Sequence, residues 1–432
     1  MDLSPLYAFE MDDTQSRMYP DIGIIGLVPD EWGDPWMPRQ HILTRLAKYF
    51  SVVWHDPAKP WRTCLASRRP ISRNHEDDVD LYGGFAVYRP GCRVPMLHRP
   101  HYLATWLTKQ RLRGARRVLE RMGAKTIVLY VWRPEFANAL DLLPHDLCCY
   151  HIDDEYTFSE VEQPISGNEL RLLREAGQVF IHSPALLEKK GYINAQTLFV
   201  PNGVDWPTFA RSQTEPADIA RIPRPRIGYV GIIKKQLDLA LYLRLAESHP
   251  HWSFVFVGPE GAIGQKAELL GRLLKLPNVH SLGRKNLSEL SSYMQHMDVC
   301  TMGYEDNEYT KYIFPLKVNE YLAAGRPVVA TPIRSLAEFS DVIEMAVTPT
   351  DWEDAIARSL AAHAQSDSAT EQRRTVAKRY DWDRLAALIA RAICERLGRD
   401  FPLTTPIRVL PDEGAGPSLT IDQSATNYRS VG

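Results

Sequence analysis

The chain lacks any marked excess of charge. Its 432 residues carry 51 Lys and Arg against 53 Asp and Glu, a net charge of −2, so the overall balance does not call for a nucleic-acid partner. Cysteine is scarce and unpatterned. The six, at 64, 92, 148, 149, 300 and 394, show neither metal-ligand spacing nor a small disulfide framework. All six are expected to be reduced thiols of a cytosolic protein, with Cys148 and Cys149 pointing to opposite faces of a strand-like run. No run of about eighteen apolar residues occurs, so no transmembrane helix is expected. The first twenty residues, MDLSPLYAFEMDDTQSRMYP, are acidic and lack the apolar core of a signal sequence. No short-period repeat is present, which argues against a solenoid. What is there is ordinary globular composition, 44% hydrophobic and 24% charged, at a length suited to two or three domains.

Two series of alternating strands and helices organise the chain. The first has strands at IGIIGLV (22–28), SVVWH (51–55), TIVLYVW (126–132), LCCYHID (147–153), QVFIHS (178–183) and TLFVP (197–201), with helices at 39–50, 103–122 and 166–176. Residues 56–100 read as an elaborated loop region with short strands. A polar, proline-bearing stretch at 212–225 reads as a linker. The second series has strands at RIGYVG (226–231), WSFVFVGP (252–259), NVHSLG (278–283), DVCTMG (298–303) and PVVAT (327–331). Its helices fall at 237–248, 264–275, 286–297, 315–325, 351–363 and 380–397. Asn286 and Glu289 have capping-box spacing. The expected fold is α/β, two Rossmann-like doubly wound domains facing a cleft, with ligands at the carboxyl ends of the strands. The domains are placed at 21–211 and 226–400, with a loose lead at 1–20 and a tail of disorder-type composition at 401–432.

FPLKVNEYLAAGRPVVAT (314–331) carries the main chemical signal. Pro315 opens a helix and Gly325 ends it. Lys317 stands in the first turn, where the helix dipole disfavours a cation. A helix N-terminus facing a cleft binds phosphate, and Lys317 would add a formal charge to it. Glu320, on the same face, could accept hydrogen bonds from a ribose diol. The structural alternative is a plain Lys317–Glu320 salt bridge. A second phosphate candidate is GYVGIIKK (228–235): Gly231 ends a strand, Lys234 and Lys235 follow on the loop, and Asp238 caps the next helix. The lysines could equally be solvated loop residues.

The 314–331 run resembles the nucleotide-sugar motif of GT-B glycosyltransferases of the glycosyltransferase 4, or group 1, family. Its PLKxxEYLAAGxPVVAT form is similar to a branch that includes teichuronic-acid-type and xanthan-type glucuronosyltransferases. WMPRQHILTRLAKYFSVVW, YHIDDEYTFSE, IHSPALLEKK, VPNGVDWPTF and IGYVGIIKKQLDLALYLRLA resemble further segments of that branch, in order, over roughly 22–395. One departure is Tyr312, eight residues before Glu320, where much of the broader family has glutamate; the PLK branch commonly lacks it.

The resemblance implies a cytosolic, metal-independent enzyme without a cofactor, peripheral on the inner membrane face if its acceptor is lipid-linked. It would move a sugar from a nucleotide-diphosphate sugar to an acceptor hydroxyl in bacterial polysaccharide or glycolipid biosynthesis. A UDP-sugar is favoured, with a GDP-sugar as the alternative. The donor set is then Gly231, Lys234, Lys235, Gly283, Arg284, Pro315, Leu316, Lys317 and Glu320, with a basic loop residue neutralising the departing diphosphate. Asp153 or Asp154 would be the base on the acceptor hydroxyl; in a configuration-retaining enzyme the carboxylate would only orient the acceptor, and its structural alternative is capping or a salt bridge. Arg39 and His41 are expected at the cleft mouth, and Asn202 in the tight turn that leaves the first domain. The helix LTKQRLRGARRVLERMGAK (107–125) is basic, with Leu112, Ala115, Leu119 and Met122 as its apolar stripe. It is read either as a membrane-surface contact for a lipid-linked acceptor or as an ordinary packed surface helix. Two other functions remain open. A nucleotide-sugar epimerase or hydrolase would turn over without acceptor. A silent GT-B subunit, for which Tyr312 is the only support, would bind donor without turnover.

Overall fold

The computed structural model describes residues 17–33, 36–66, 79–156 and 163–402. Most of the expected lead and nearly all of the expected tail lie outside these residues.

The first sheet is built from β1 (Tyr19–Leu27), β2 (Phe50–His55), β3 (Val79–Tyr82), β4 (Phe85–Tyr88), β5 (Thr126–Val131), β6 (Leu147–Ile152), β7 (Gln178–Ile181) and β8 (Thr197–Phe199). Their spatial order is β3-β4-β2-β1-β5-β6-β7-β8, and all pairs are parallel except β3 with β4. The second sheet contains β9 (Arg226–Val230), β10 (Ser253–Val257), β11 (Val279–Ser281), β12 (Val299–Met302), β13 (Val328–Ala330) and β14 (Glu344–Met345), in the order β11-β10-β9-β12-β13-β14, all parallel. The central strands are buried along their length, as parallel strands covered by helices on both faces must be. In each sheet the strand order reverses beside the first strand of its domain, β1 or β9. A crevice opens there at the carboxyl ends.

The chain crosses between the domains twice. It leaves the first after β8, and it returns through the helix Trp382–Arg396. Trp382, Leu385, Ile389 and Ile393 of that helix are buried in one cluster with Ile22, Phe50, Trp54 and Trp132. The helix was expected in the C-terminal domain; the molecule instead uses its apolar stripe to cover the N-terminal sheet. The crossings lie side by side: Val204 N–H donates to Tyr380 O at 2.9 Å, and Trp382 N–H to Val204 O at 3.0 Å. Within 212–225, Ile219 and Ile222 are buried in the C-terminal core, and Asp218 holds Lys285 at 2.6 Å. The helix Asp367–Lys378, unread in the sequence, packs against the helix Leu316–Ala323. No helix among the described residues is long and apolar enough to cross a membrane.

One expectation about cysteine is corrected. Cys64 and Cys92 form a disulfide, with Cα atoms 5.3 Å apart. The short helix Trp61–Ala66 is laid beside the 92–96 loop by backbone bonds, Trp61 N–H to Met96 O (3.2 Å) and Met96 N–H to Lys59 O (2.8 Å). A separation of 28 residues gave no hint of that juxtaposition. Cys148, Cys149, Cys300 and Cys394 are buried free thiols.

Candidate active site

The donor-side features converge at the carboxyl ends of β9 and β10. Tyr321, in the helix Leu316–Ala323, accepts from Val230 N–H at 2.9 Å and donates to Val230 O at 3.2 Å. That pair of bonds fixes the helix to the end of β9. Pro315 is the N-cap, no side chain caps the first turn, and no acid occupies it. Its backbone N–H groups therefore keep their partial positive charge for a ligand. Asn202 braces the same turn: its side-chain amide donates to Phe314 O (2.7 Å), and its carbonyl accepts from Asn319 (2.9 Å). Leu316 packs against the N-terminal cluster. Asn202 and Leu316 thus hold the helix start, while its amides and Lys317 face the crevice.

Lys317 extends over the β9 loop. Its ammonium lies 5.6 Å from the centroid of Tyr229, and a Cβ on Gly231 would collide with its Cε. Gly231 has φ +146°, a conformation L side chains rarely adopt. Gly258, at the end of β10 with φ +145°, approaches so closely that a Cβ there would strike the Gly231 carbonyl. Two backbones and a lysine stem leave room for glycine only.

Lys317 and Glu320 form no ion pair with each other among the described residues. Burial raises the Glu320 pKa, and Lys317 pulls it the other way. The lowered pKa of Lys234 has partial desolvation as its main cause, then the neighbouring Lys317, with Asp154 opposing both. Lys234, Lys317 and Asp154 therefore share one electrostatic neighbourhood across the interdomain crevice. Lys234 and the following Lys235 are both exposed on that loop. Gly283, with φ +64°, accepts from Gly258 N–H at 2.8 Å, and Arg284 is exposed next to it.

The adjacent carboxylates after β6 are in different surroundings. Asp153 is an internal ion: it meets Arg39 at 2.8 Å and accepts from the Tyr156 hydroxyl at 2.7 Å, with both charged side chains nearly buried. Arg39 also pairs with Asp30, and its guanidinium lies 5.8 Å from the centroid of Trp132. Asp154 accepts from Glu155 N–H (2.8 Å) and from the hydroxyl of Tyr309 in the other domain (3.4 Å). Its pKa is raised, first by burial and then by Asp153. The next residue, Glu155, is anchored below by fully buried Lys190 at 3.0 Å, which also holds Glu169 at 2.6 Å.

His41 is not at an open mouth. It is buried, stacked on Trp382 at 5.2 Å and set edge-on to Trp36. Because the C-terminal helix returns to this face, the site expected to be open is a packed seam. Tyr312 has a similar explanation. Its ring, although from the C-terminal half, is buried among Tyr150, Ile152 and Leu186 of the N-terminal core, 5.2 Å from Lys189. Position 312 is an interdomain packing site, so the change from glutamate no longer speaks for a silent subunit.

Sequence reasoning missed Arg133. It follows β5, lies over the Tyr156 ring at 4.8 Å and neighbours Asp153 and Asp154. Its signal was an arginine directly after a buried strand at the switch point. Among the described residues, no three His, Cys, Asp or Glu side chains gather as a metal site.

Two facing, parallel-sheet Rossmann-like domains, with a final helix returning to the first, define the GT-B class. Residues 224–365, most of the C-terminal domain, match the family model "Glycosyl transferases group 1". A Bacillus subtilis (strain 168) relative named "Putative teichuronic acid biosynthesis glycosyltransferase TuaH" is 31% identical over 228 residues. That match covers 51% of this chain and only 57% of the relative. Trehalose-6-phosphate synthase OtsA superposes with a TM-score of 0.62 at 13% identity, covering 88% of this chain and 99% of OtsA. The UDP-forming α,α-trehalose-phosphate synthase from Burkholderia xenovorans gives 0.58 at 13%, covering 87% and 99%. At that identity the likeness shows the fold.

Proposed function

We propose that the protein is a metal-independent glycosyltransferase, moving a sugar from a nucleotide-diphosphate sugar to an acceptor hydroxyl in bacterial polysaccharide or glycolipid biosynthesis. The carrying observation is the uncapped N-terminus of Leu316–Ala323 beside Gly231, with Lys317 over the loop and Lys234 next to it. That arrangement suits a diphosphate. Charge grows on the leaving nucleotide during transfer, and preorganised donors and cations placed there lower the barrier. Glu320 takes the ribose hydroxyls. Asp154 serves the acceptor hydroxyl, since Asp153 is committed to Arg39 and Tyr156. Domain closure excludes the water that would intercept the activated sugar.

Uridine is the preferred base, in keeping with the neighbour named UDP-forming, and guanosine is the alternative. The named activity of the B. subtilis relative supports a cell-surface polymer or its lipid-linked precursor as acceptor. Such an acceptor places the enzyme in the cytoplasm at the membrane's inner face. Titration calorimetry with UDP tests the donor half. Glu320→Ala should weaken binding about tenfold or more, the worth of a hydrogen bond to a charged group, and Asp154→Asn should leave it intact. Equal affinity of Glu320→Ala and wild type would show the site to be misassigned.

A further inference from the structure

Of the two readings of the basic helix, its apolar stripe fits the ordinary packed surface helix. Leu112, Ala115, Val118 and Leu119 are buried in the N-terminal core, so that stripe is spent on folding. Arg111 is buried as well, donating to Val94 O and Pro95 O at 3.1 and 2.8 Å. The helix begins at His101, however, and its outer face carries a second stripe. Tyr102, Trp106, Lys109, Arg113 and Arg117 recur at helical spacing along one side. Tyr102 is 78% exposed and Trp106 54%. Trp61 (42%) and Leu65 (74%) are exposed on the short helix Trp61–Ala66. The Cys64–Cys92 bond ties that helix to the 92–96 loop, and Arg111 ties the same loop to the long helix. Four large side chains that folding normally buries are thus presented by one tied assembly.

Along the chain beside them the charge is mostly of one sign. From Leu81 to Leu119 the chain has no Asp or Glu but eight Lys and Arg. Lys59, Arg62, Arg99, Arg113 and Arg117 are exposed, and Arg62 lies 5.5 Å from the Trp61 ring. Exposed Trp and Tyr bordered mostly by cations match the boundary of an anionic bilayer. There the rings sit at headgroup depth and each cation is attracted by the lipid charge.

We propose that Trp61, Leu65, Tyr102 and Trp106, with the cations beside them, form a docking surface for an anionic phospholipid membrane. This rests on the membrane contact of the reading above and places its apolar part at the start of the helix, before 107–125, with Lys109, Arg113 and Arg117 of that stretch beside it. The test is flotation of the full chain with vesicles of phosphatidylcholine alone and of phosphatidylcholine with an equal amount of phosphatidylglycerol. The protein should float with the second kind only and be released by salt. Tyr102→Ser with Trp106→Ser should lower vesicle affinity at least tenfold, as should Arg113→Glu with Arg117→Glu. Arg244→Glu with Lys275→Glu, an equal charge change on the other domain, should not. A wild type that stays in solution with both vesicles overturns the proposal, as do patch variants that float like wild type. The melting temperature with and without UDP is read on every variant. It reports folding and the donor site, so a failed donor assignment is told apart from a failed docking surface.

Discussion

Asp153 and Asp154 differ by one position and by almost everything that decides a carboxylate's role. Asp153 is held by a nearly buried arginine and a tyrosine hydroxyl. Breaking such a pair leaves a charge without its partner, so Asp153→Asn should cost about 3 kcal/mol in denaturant unfolding. Asp154→Asn should unfold much like wild type while abolishing transfer. A second residue makes a pH prediction. One oxygen of Glu338 is buried without a partner, the other accepts from Tyr380, and burial lifts the pKa from 4.5 to about 7. The folded state therefore binds the proton more tightly than the unfolded state. Stability from this group is greatest at acid pH and declines as pH rises from about 4.5 through 7. Glu338→Gln should flatten that part of the melting-temperature profile and raise the value at pH above 7, measured by calorimetry across pH. His41 and Asp153 also show a limit of reading residues singly. Polarity and a place before a helix or after a strand suggested the cleft, but burial is settled by elements distant in sequence.

The proposed donor site at the level of elements is a strand end, a glycine loop and a helix start held in register by Tyr321. These elements were legible in the sequence. Pro315, Gly325 and the apolar spacing set the helix, and the lysine at its positive end, which the helix dipole disfavours, marked it. The loop offers a direct test. Gly231→Ala adds a Cβ at φ +146° and against Lys317, a strain of about 1–3 kcal/mol in the bound arrangement. It should keep the circular dichroism of wild type and lose most nucleotide affinity, read by calorimetry. Other elements were not legible, for physical reasons. Asp367–Lys378 is mostly charged and polar, with Val376 and Ala377 near its end, so no clear periodic stripe marks it. Trp382–Arg396 has a strong stripe, but a stripe states that a helix packs and not on what. The disulfide depends on a backbone pairing between a short helix and an irregular loop, neither of which leaves a pattern.

For the whole molecule, the two domains meet along a shared seam. The seam is made of Asn202 on the 314–319 turn, the Arg334–Glu188 ion pair at 2.5 Å, Tyr312 in the opposite core and Tyr309 at Asp154. It brings the glycine loop and helix start of one half near Asp154 of the other. Alternation of strands and helices was enough to foresee two such domains, because parallel sheets need covering helices. How closely they meet was not foreseeable, since it rests on single side chains far apart in the chain. The central claim is that this crevice holds a nucleotide diphosphate. Thermal unfolding with uridine, guanosine and thymidine diphosphates and their sugar conjugates tests it most directly, because a ligand of the folded state alone raises the melting temperature. One base family, uridine first, should stabilise the wild type, and Lys317→Ala should remove the effect. If no nucleotide shifts the melting temperature at millimolar concentration, the helix at Pro315 holds no diphosphate and the donor-site assignment fails.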